Sequence, residues 1–404
     1  MHTAWFVLPV SALLGVAACS EPQPLTPRAF GATATTATTA VRHDVVAPRY
    51  HIDKLPILSG TTQGAGINNR GWVAGYSVSS DGLRHAVLWR GGEITDLGQA
   101  GLISLPQWPG IASNGVVAGI TQTAAADTLG ESWSCAAFMG TAGKMCLGFA
   151  WYGGSMHTLP AWGGENGFAT GVNSRGDVVG WAETTLHDPT CTTPQVLQFR
   201  ATVWSTHDGS KRQLRPFAGD STSAATAIND RGQVVGISGE CDVAVGRKSA
   251  LHALLWDGDQ VTDLGDLHGK YWNTPMALNA NGSMVVGFSN PPDGDLDGDS
   301  LRAFVWTQAT GMQDLGRIPG DLSSQALGVN MAGQIVGLSC SDTTCHGLLW
   351  QNGQMYRLQD LAGADFPDQI YSAKDINEAG QITGRMIDHV TKKPVAYVAT
   401  PITN

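Results

Sequence analysis

Charge is scarce in this sequence. Lys, Arg, Asp and Glu make up 14% of its 404 residues, against roughly 25% in an ordinary soluble domain. Basic residues are the scarcer sign: 24 Lys and Arg face 34 Asp and Glu, a net charge of −10. That balance excludes nucleic acid or an anionic membrane surface as the main partner. The familiar catalytic signatures are missing too. There is no Gly-x-Ser-x-Gly, no His-Glu-x-x-His and no phosphate loop, so neither a serine-hydrolase elbow nor a zincin helix nor a nucleotide cradle is indicated. None of the seven cysteines forms Cys-x-x-Cys, which removes the zinc ribbon and the thioredoxin-like redox site.

Glycine and tryptophan are plentiful. There are 51 glycines in 404 residues (51/404, about 13%) and 13 tryptophans, with 42% hydrophobic residues overall. Such a chain can build a large core from short strands and tight turns rather than from helices.

Residues 5–18 are apolar, too short to span a bilayer permanently, and end in small residues before a cysteine. This is the shape of a signal peptide, expected over residues 1–18. Val16-Ala17-Ala18-Cys19 resembles the bacterial lipobox, although Met1 to Thr3 carry no Lys or Arg. The resemblance implies a lipidated Cys19, export to the cell envelope, and attachment to a membrane through that anchor. Ser20-Glu21-Pro22-Gln23-Pro24 and the Ala/Thr run 32–40 then form a solvated tether, residues 19–48, ahead of a folded body at 49–404. Six cysteines remain: Cys135, Cys146, Cys191, Cys241, Cys340 and Cys345. An even number in an exported chain implies disulfides, with fifteen possible pairings. Their placement within the repeat described next favours Cys135–Cys146 and Cys340–Cys345 as local pairs, leaving Cys191–Cys241.

Internal repetition decides the fold. Ala227-Ile228-Asn229-Asp230-Arg231-Gly232-Gln233-Val234-Val235-Gly236 recurs at Gly66–Gly75 and Gly171–Gly180, with looser copies around Asn279, Asn330 and Asn377. A further copy, Ile111–Gly119, has Ala112 in place of the asparagine. The turn glycines fall at 71, 115, 176, 232, 282, 333 and 380, a mean period of (380 − 71)/6 = 51.5 residues. An apolar strand ending in Trp follows most copies, at Trp89, Trp151, Trp204, Trp256, Trp306 and Trp350, and a fourth strand comes after it. Each unit of about 50 residues thus predicts a four-stranded sheet whose first hairpin turns on Asn-x-x-Gly. Seven such sheets bury their faces by closing a ring, an all-β seven-bladed β-propeller. The seventh unit lacks a fourth strand, whereas Ile52-Asp53-Lys54-Leu55 resembles one and precedes the first unit. The N-terminal strand is therefore expected to complete the last blade.

His85-Ala86-Val87-Leu88-Trp89, His252-Ala253-Leu254-Leu255-Trp256, Ala303-Phe304-Val305-Trp306 and His346-Gly347-Leu348-Leu349-Trp350, with the Asn-x-x-Gly hairpins and the Thr-Asp-Leu-Gly ends at 95–98 and 262–265, resemble the bacterial extracellular HAF-repeat family. The resemblance covers residues 50–399. It implies a secreted or surface propeller and brings no activity or catalytic residue with it.

Alternating strand direction puts the short, uniform one–two and three–four turns on one face. The variable two–three and four–one loops lie on the other, where function is expected. In the fifth unit's two–three loop, Asp293, Asp295, Asp297 and Asp299 alternate round a turn permitted by Gly298, a pattern suited to calcium; an EF-hand is excluded because its twelfth position is Phe304. Trp108, Trp162, Tyr271, Trp272 and Tyr371, with Phe168, Phe217 and Phe366, are assigned to four–one loops as ligand-stacking candidates, or else as plugs of the seams between blades. His85, His252 and His346 fall in different blades, too far apart for one metal. The strands expected to line the axis carry little charge beyond Lys374 and Asp375, and so offer no acid–base pair. The expectation is a monomeric, lipid-anchored surface propeller that binds a polysaccharide or protein without catalysis. A carbohydrate-active hydrolase or lyase on the loop face, and a purely structural envelope protein, are the alternatives.

Overall fold

The computed structural model describes residues 47–244, 246–294 and 298–402. The expected signal segment, Cys19 and most of the tether lie outside the described residues, as do Asp295 and Asp297. Seven four-stranded antiparallel sheets form a seven-bladed β-propeller. Their inner strands are Thr62–Ile67, Ile103–Leu105, Gly163–Val172, Thr222–Ile228, Thr274–Leu278, Ser323–Val329 and Gln369–Ile376, in blades one to seven. Blade seven closes as the repeat count required. Its outer strand is Tyr50–Lys54, paired antiparallel with Pro394–Pro401 so that Tyr50 faces Pro401 and Lys54 faces Tyr397. No helix among the described residues is long and apolar enough to cross a membrane.

The repeated residues act as joints. In five turns the asparagine side chain is used at both ends, as at Asn229: its Oδ1 accepts the amides of Arg231 and Gln233, both at 3.1 Å, while its Nδ2 donates to the Asn279 carbonyl of the next blade at 3.3 Å. The third-strand tryptophans reach backwards. Trp89, Trp204, Trp256 and Trp350 donate their indole N–H to carbonyls just past the preceding blade's outer strand, at Pro56, Pro160, Arg215 and Leu315. Sequence repetition is thereby converted into blade-to-blade hydrogen bonds within an apolar seam, which is where such bonds are costly to lose.

The glycine that ends each Val-x-Gly or Ile-x-Gly motif has a different task. A Cβ at Gly236 would lie 2.1 Å from the Ala224 carbonyl oxygen, and one at Gly384 2.0 Å from that of Ser372. Only a glycine lets the inner strand come this close. The inner strand uses the approach to bulge at the same place in six blades, between Gly64 and Gly66, Ala169 and Gly171, Ala225 and Ala227, Pro275 and Ala277, Ala326 and Gly328, and Ala373 and Asp375. A bulge re-aims the extra side chain. The residues singled out are Ala65, Thr170, Thr226, Met276, Leu327 and Lys374, and the last five line the axis.

All three disulfides form as the repeat placement favoured: Cys135–Cys146, Cys191–Cys241 and Cys340–Cys345. The second joins the two–three loops of blades three and four.

Candidate axial site

Blade two departs from the pattern, and the departure shapes the site. Pro106 and Pro109 flank Gln107-Trp108, and neither proline can donate to a ladder. The inner strand stops at Leu105, and only an isolated bridge between Ile111 and Val117 resumes the sheet. Trp108 is freed to project across the axis. Its ring packs edge-on against Phe168 and Phe138, at 4.7 and 5.1 Å between centroids, and its indole N–H reaches Met276 Sδ of blade five at 3.2 Å.

From the loop-face side, Trp272 approaches the same place. Its backbone has φ = +63°, a conformation that bulky side chains rarely adopt and that costs about 1–3 kcal/mol. The ring sits between two loops: a Cβ at Gly246 would fall 2.0 Å from it, leaving no room for a side chain, and one at Gly298 would make a tight contact at 3.3 Å. Trp272 also packs with Phe288 at 6.4 Å. Between Trp108 and Trp272 lies a cavity of about 180 Å³, walled also by Phe138, Trp181, Phe288 and Leu327. Among the described residues it has no carboxylate lining. Among the described residues its one charged group is Lys374, which burial, and secondarily the Arg385 guanidinium, push down to about 8.

The opposite, hairpin-face mouth of the axis is a separate space ringed by the Asn turns, and Asp375 belongs there. Its carboxylate accepts the amides of Ile67 at 2.8 Å and Ile376 at 2.9 Å, and burial raises it to about 7. Lys374 and Asp375 are neighbours in sequence but line opposite ends of the axis. They stitch and line; they do not form an acid–base pair.

The other expected ligand-stacking residues are placed differently. Trp108, Phe168 and Tyr371 are not in four–one loops: Trp108 interrupts an inner strand, while Phe168 and Tyr371 lie within inner strands that begin earlier than the apolar pattern suggested. Tyr371 is covered by Arg385, 4.1 Å from the ring centre. Trp162 donates to Thr202 Oγ1 at 2.9 Å, lies under Lys211 and seals the seam between blades two and three. Tyr271 carries Lys270 at 5.0 Å. Of the acidic loop, Asp293 and Asp299 are exposed, and Gly298 supports Trp272. His85 bonds Asp96 and Asp81 at 2.8 and 3.0 Å, and His252 bonds Asp220 at 2.9 Å, each beside its own blade.

Two further clusters carry titratable groups. At the closing seam, Asp368, Asp388 and His389 approach one another closely enough to hold a cation, but Lys54 already stands between the two carboxylates. Between blades two and three, Gln195 Nε2 bridges Glu131 at 3.0 Å and Glu183 at 3.2 Å, all three buried. Burial, then the Glu131 charge, push Glu183 up to about 8. Neither glutamate lines the axial channel. The grouping of Asp188 with Cys191 and Cys241 offers no thiolates, since those sulfurs are bonded together.

No family model matches the chain, and no curated protein matches it in sequence. Solved structures align with it at TM-scores below 0.5. Pyrococcus horikoshii acylaminoacyl peptidase aligns with TM-score 0.47 and 10% identity over 85% of this chain and 52% of that one. An oligogalacturonate lyase in complex with manganese aligns at 0.37 and 11%, over 88% and 97%. TolB from Acinetobacter baumannii aligns at 0.36 and 10%, over 80% and 76%. The chain spans about half the length of the peptidase.

Proposed function

We propose that the protein is an exported propeller, held at the cell envelope by lipid on Cys19, that binds a ligand in the axial cavity of its loop face without transforming it. The observation that carries this reading is the cavity's lining: aromatic walls contributed by several blades around one lysine, with no carboxylate among the described residues. Ligand sites commonly combine apolar walls with a few polar groups that fix orientation, whereas general acid–base catalysis needs a proton donor and acceptor within reach of one substrate. Calcium on Asp293, Asp295, Asp297 and Asp299 belongs to the same proposal as a structural ion, because Gly298 of that loop lies against the Trp272 ring.

Two measurements test it. Acylation is read by incorporation of labelled fatty acid into the expressed chain, and must vanish in Cys19→Ala. Binding is read by incubating the full-length protein with extracts of surface polysaccharide, peptide and small molecules, then identifying what co-purifies by mass spectrometry. Recovery of an unaltered compound, displaced by Trp108→Ala, is the expected result. Recovery of a cleaved or eliminated product would instead favour the hydrolase or lyase.

A further inference from the structure

The six bulged positions are equivalent, yet only one is charged. Blades one, three, four, five and six place Ala65, Thr170, Thr226, Met276 and Leu327 there; blade seven places Lys374. Thr170 and Thr226 satisfy themselves by donating to backbone carbonyls, Thr170 to Ala225 at 2.9 Å and Thr226 to Pro275 at 2.6 Å. Met276 and Leu327 pack in the apolar cluster around Phe288. Lys374 does neither. Among the described residues its ammonium has no hydrogen-bond or ion-pair partner, and Arg385 on the adjoining strand adds a second positive charge, also without an ion-paired carboxylate. Lys374 is half-buried, and a charge drawn partly out of water without a counter-charge is costly.

The cavity has a second unoccupied polar group. Gln325, from the inner strand of blade six, lines the same space, and among the described residues no group bonds its side-chain amide. An ammonium and an amide beside aromatic walls suit one ligand chemistry. The volume sets its size: about 180 Å³, slightly more than the roughly 150 Å³ of an apolar cavity known to take benzene.

Building on the axial-binding reading above, we propose that Lys374 is the anion anchor of the cavity, which takes a small monocarboxylate with a single aromatic ring. The carboxylate pairs with the Lys374 ammonium and accepts from Gln325, while the ring fills the space between Trp108 and Trp272. No covalent step is involved.

The test uses the full-length protein reconstituted in phospholipid nanodiscs and isothermal titration with 3-phenylpropionate, its neutral isostere 3-phenylpropanamide, and inorganic phosphate. The expected result is that the carboxylate binds at least tenfold more tightly than the amide and that phosphate binds negligibly. In Lys374→Met the preference for the carboxylate is lost while the amide still binds, and the melting temperature is unchanged or higher, because methionine already occupies the equivalent place in blade five. Equal binding of carboxylate and amide by the wild-type protein would overturn the anchor while leaving the axial cavity as a binding site. Phosphate binding as tight as the carboxylate would overturn the aromatic ligand class. Binding of none of the three at millimolar concentration would overturn the anchor and its ligand class, while the axial reading stands or falls on the co-purification experiment above.

Discussion

The side-chain amide of Asn377 donates to the backbone carbonyl of Asn68 at 3.0 Å, across 309 residues of sequence. This bond joins the last blade to the first. The same contact runs from Asn68 to Ala112, Asn173 to Asn229, Asn229 to Asn279, and Asn330 to Asn377. Blade two has no asparagine at its turn, and Asn114, two residues on, donates to Ser174 instead at 3.1 Å. Asn377 also holds its own turn, its Oδ1 accepting from Ala379 and Gln381.

The two roles are separable. Asn377→Ala removes both and should lower stability by about 1–3 kcal/mol, the usual cost of stranding buried hydrogen-bonding groups. Asn377→Asp keeps the acceptor for the turn but loses the donor across the seam. The carboxylate would face the Asn68 carbonyl and Gln381 Oε1 in a buried seam, so the variant should be no more stable than alanine in urea unfolding. An aspartate variant clearly more stable than the alanine variant would show that the turn acceptor outweighs the seam donor.

Gly384→Ala should be far more damaging than its one added methyl suggests. The new Cβ meets the Ser372 carbonyl oxygen at 2.0 Å, so the bulge that presents Lys374 must open. Backbone strain of this kind belongs to the large-effect mechanisms, several kcal/mol rather than a few tenths. Gly82→Ala, with nothing within 4 Å but φ = +80°, serves as the comparison for backbone conformation alone. Equal melting temperatures for the two variants would refute the close-approach argument.

These residues also show how much the sequence disclosed. The period, the Asn turns, the terminal tryptophans and the surplus strand at Ile52 were all legible, because each recurs and recurrence carries register. The Val-x-Gly glycine was visible too, but not its purpose, since a close approach between two strands leaves no trace beyond the missing side chain. The site was harder to read because it arises where repetition fails. Trp108 reaches the axis through two prolines that break a strand, and Trp272 does so through an unfavourable φ supported by two distant glycines. Lys374 stands out in the sequence as the rare charge on an inner strand. That it shares a bulge position with a methionine and a leucine required the ladder register.

The disulfides should differ in weight. Cys191 and Cys241 are 50 residues apart in sequence and Cys340 and Cys345 only 5. In the chain-entropy picture the longer closed loop constrains the unfolded state more, about 4 kcal/mol against about 2 kcal/mol. The double variant Cys191→Ser, Cys241→Ser should therefore lose more in equilibrium unfolding than Cys340→Ser, Cys345→Ser. The reverse order would place the stabilisation in native contacts.

Glu183 makes stability depend on pH with a defined sign. Its folded value, about 8, lies above that of an exposed glutamate near 4.3. Between these values the unfolded chain releases the proton and the folded chain keeps it, so this residue's contribution falls as pH rises, by at most about 1.4 kcal/mol per pH unit. It is fully present below pH 4.3 and exhausted above pH 8. Glu183→Gln should gain on wild type steadily between pH 5 and 8 in parallel urea titrations. A pH-independent difference would mean that the carboxyl is ionised in the folded state.

Calcium removal gives the last expected outcome. Asp293 and Asp299 bracket a loop whose Gly298 packs on the Trp272 ring, so an ion bound there should steady both the loop and the cavity wall. A ligand that binds only the folded state raises stability by about 2.7 kcal/mol at a hundred times its dissociation constant. Full-length protein in nanodiscs should therefore melt several degrees higher in millimolar calcium than in EDTA, with a shift in tryptophan fluorescence. Both responses should vanish in the variant Asp295→Ala, Asp297→Ala. A melting temperature indifferent to calcium would identify the acidic run as a solvated hairpin, and would leave the strain at Trp272 to be held by Gly246 and Gly298 alone.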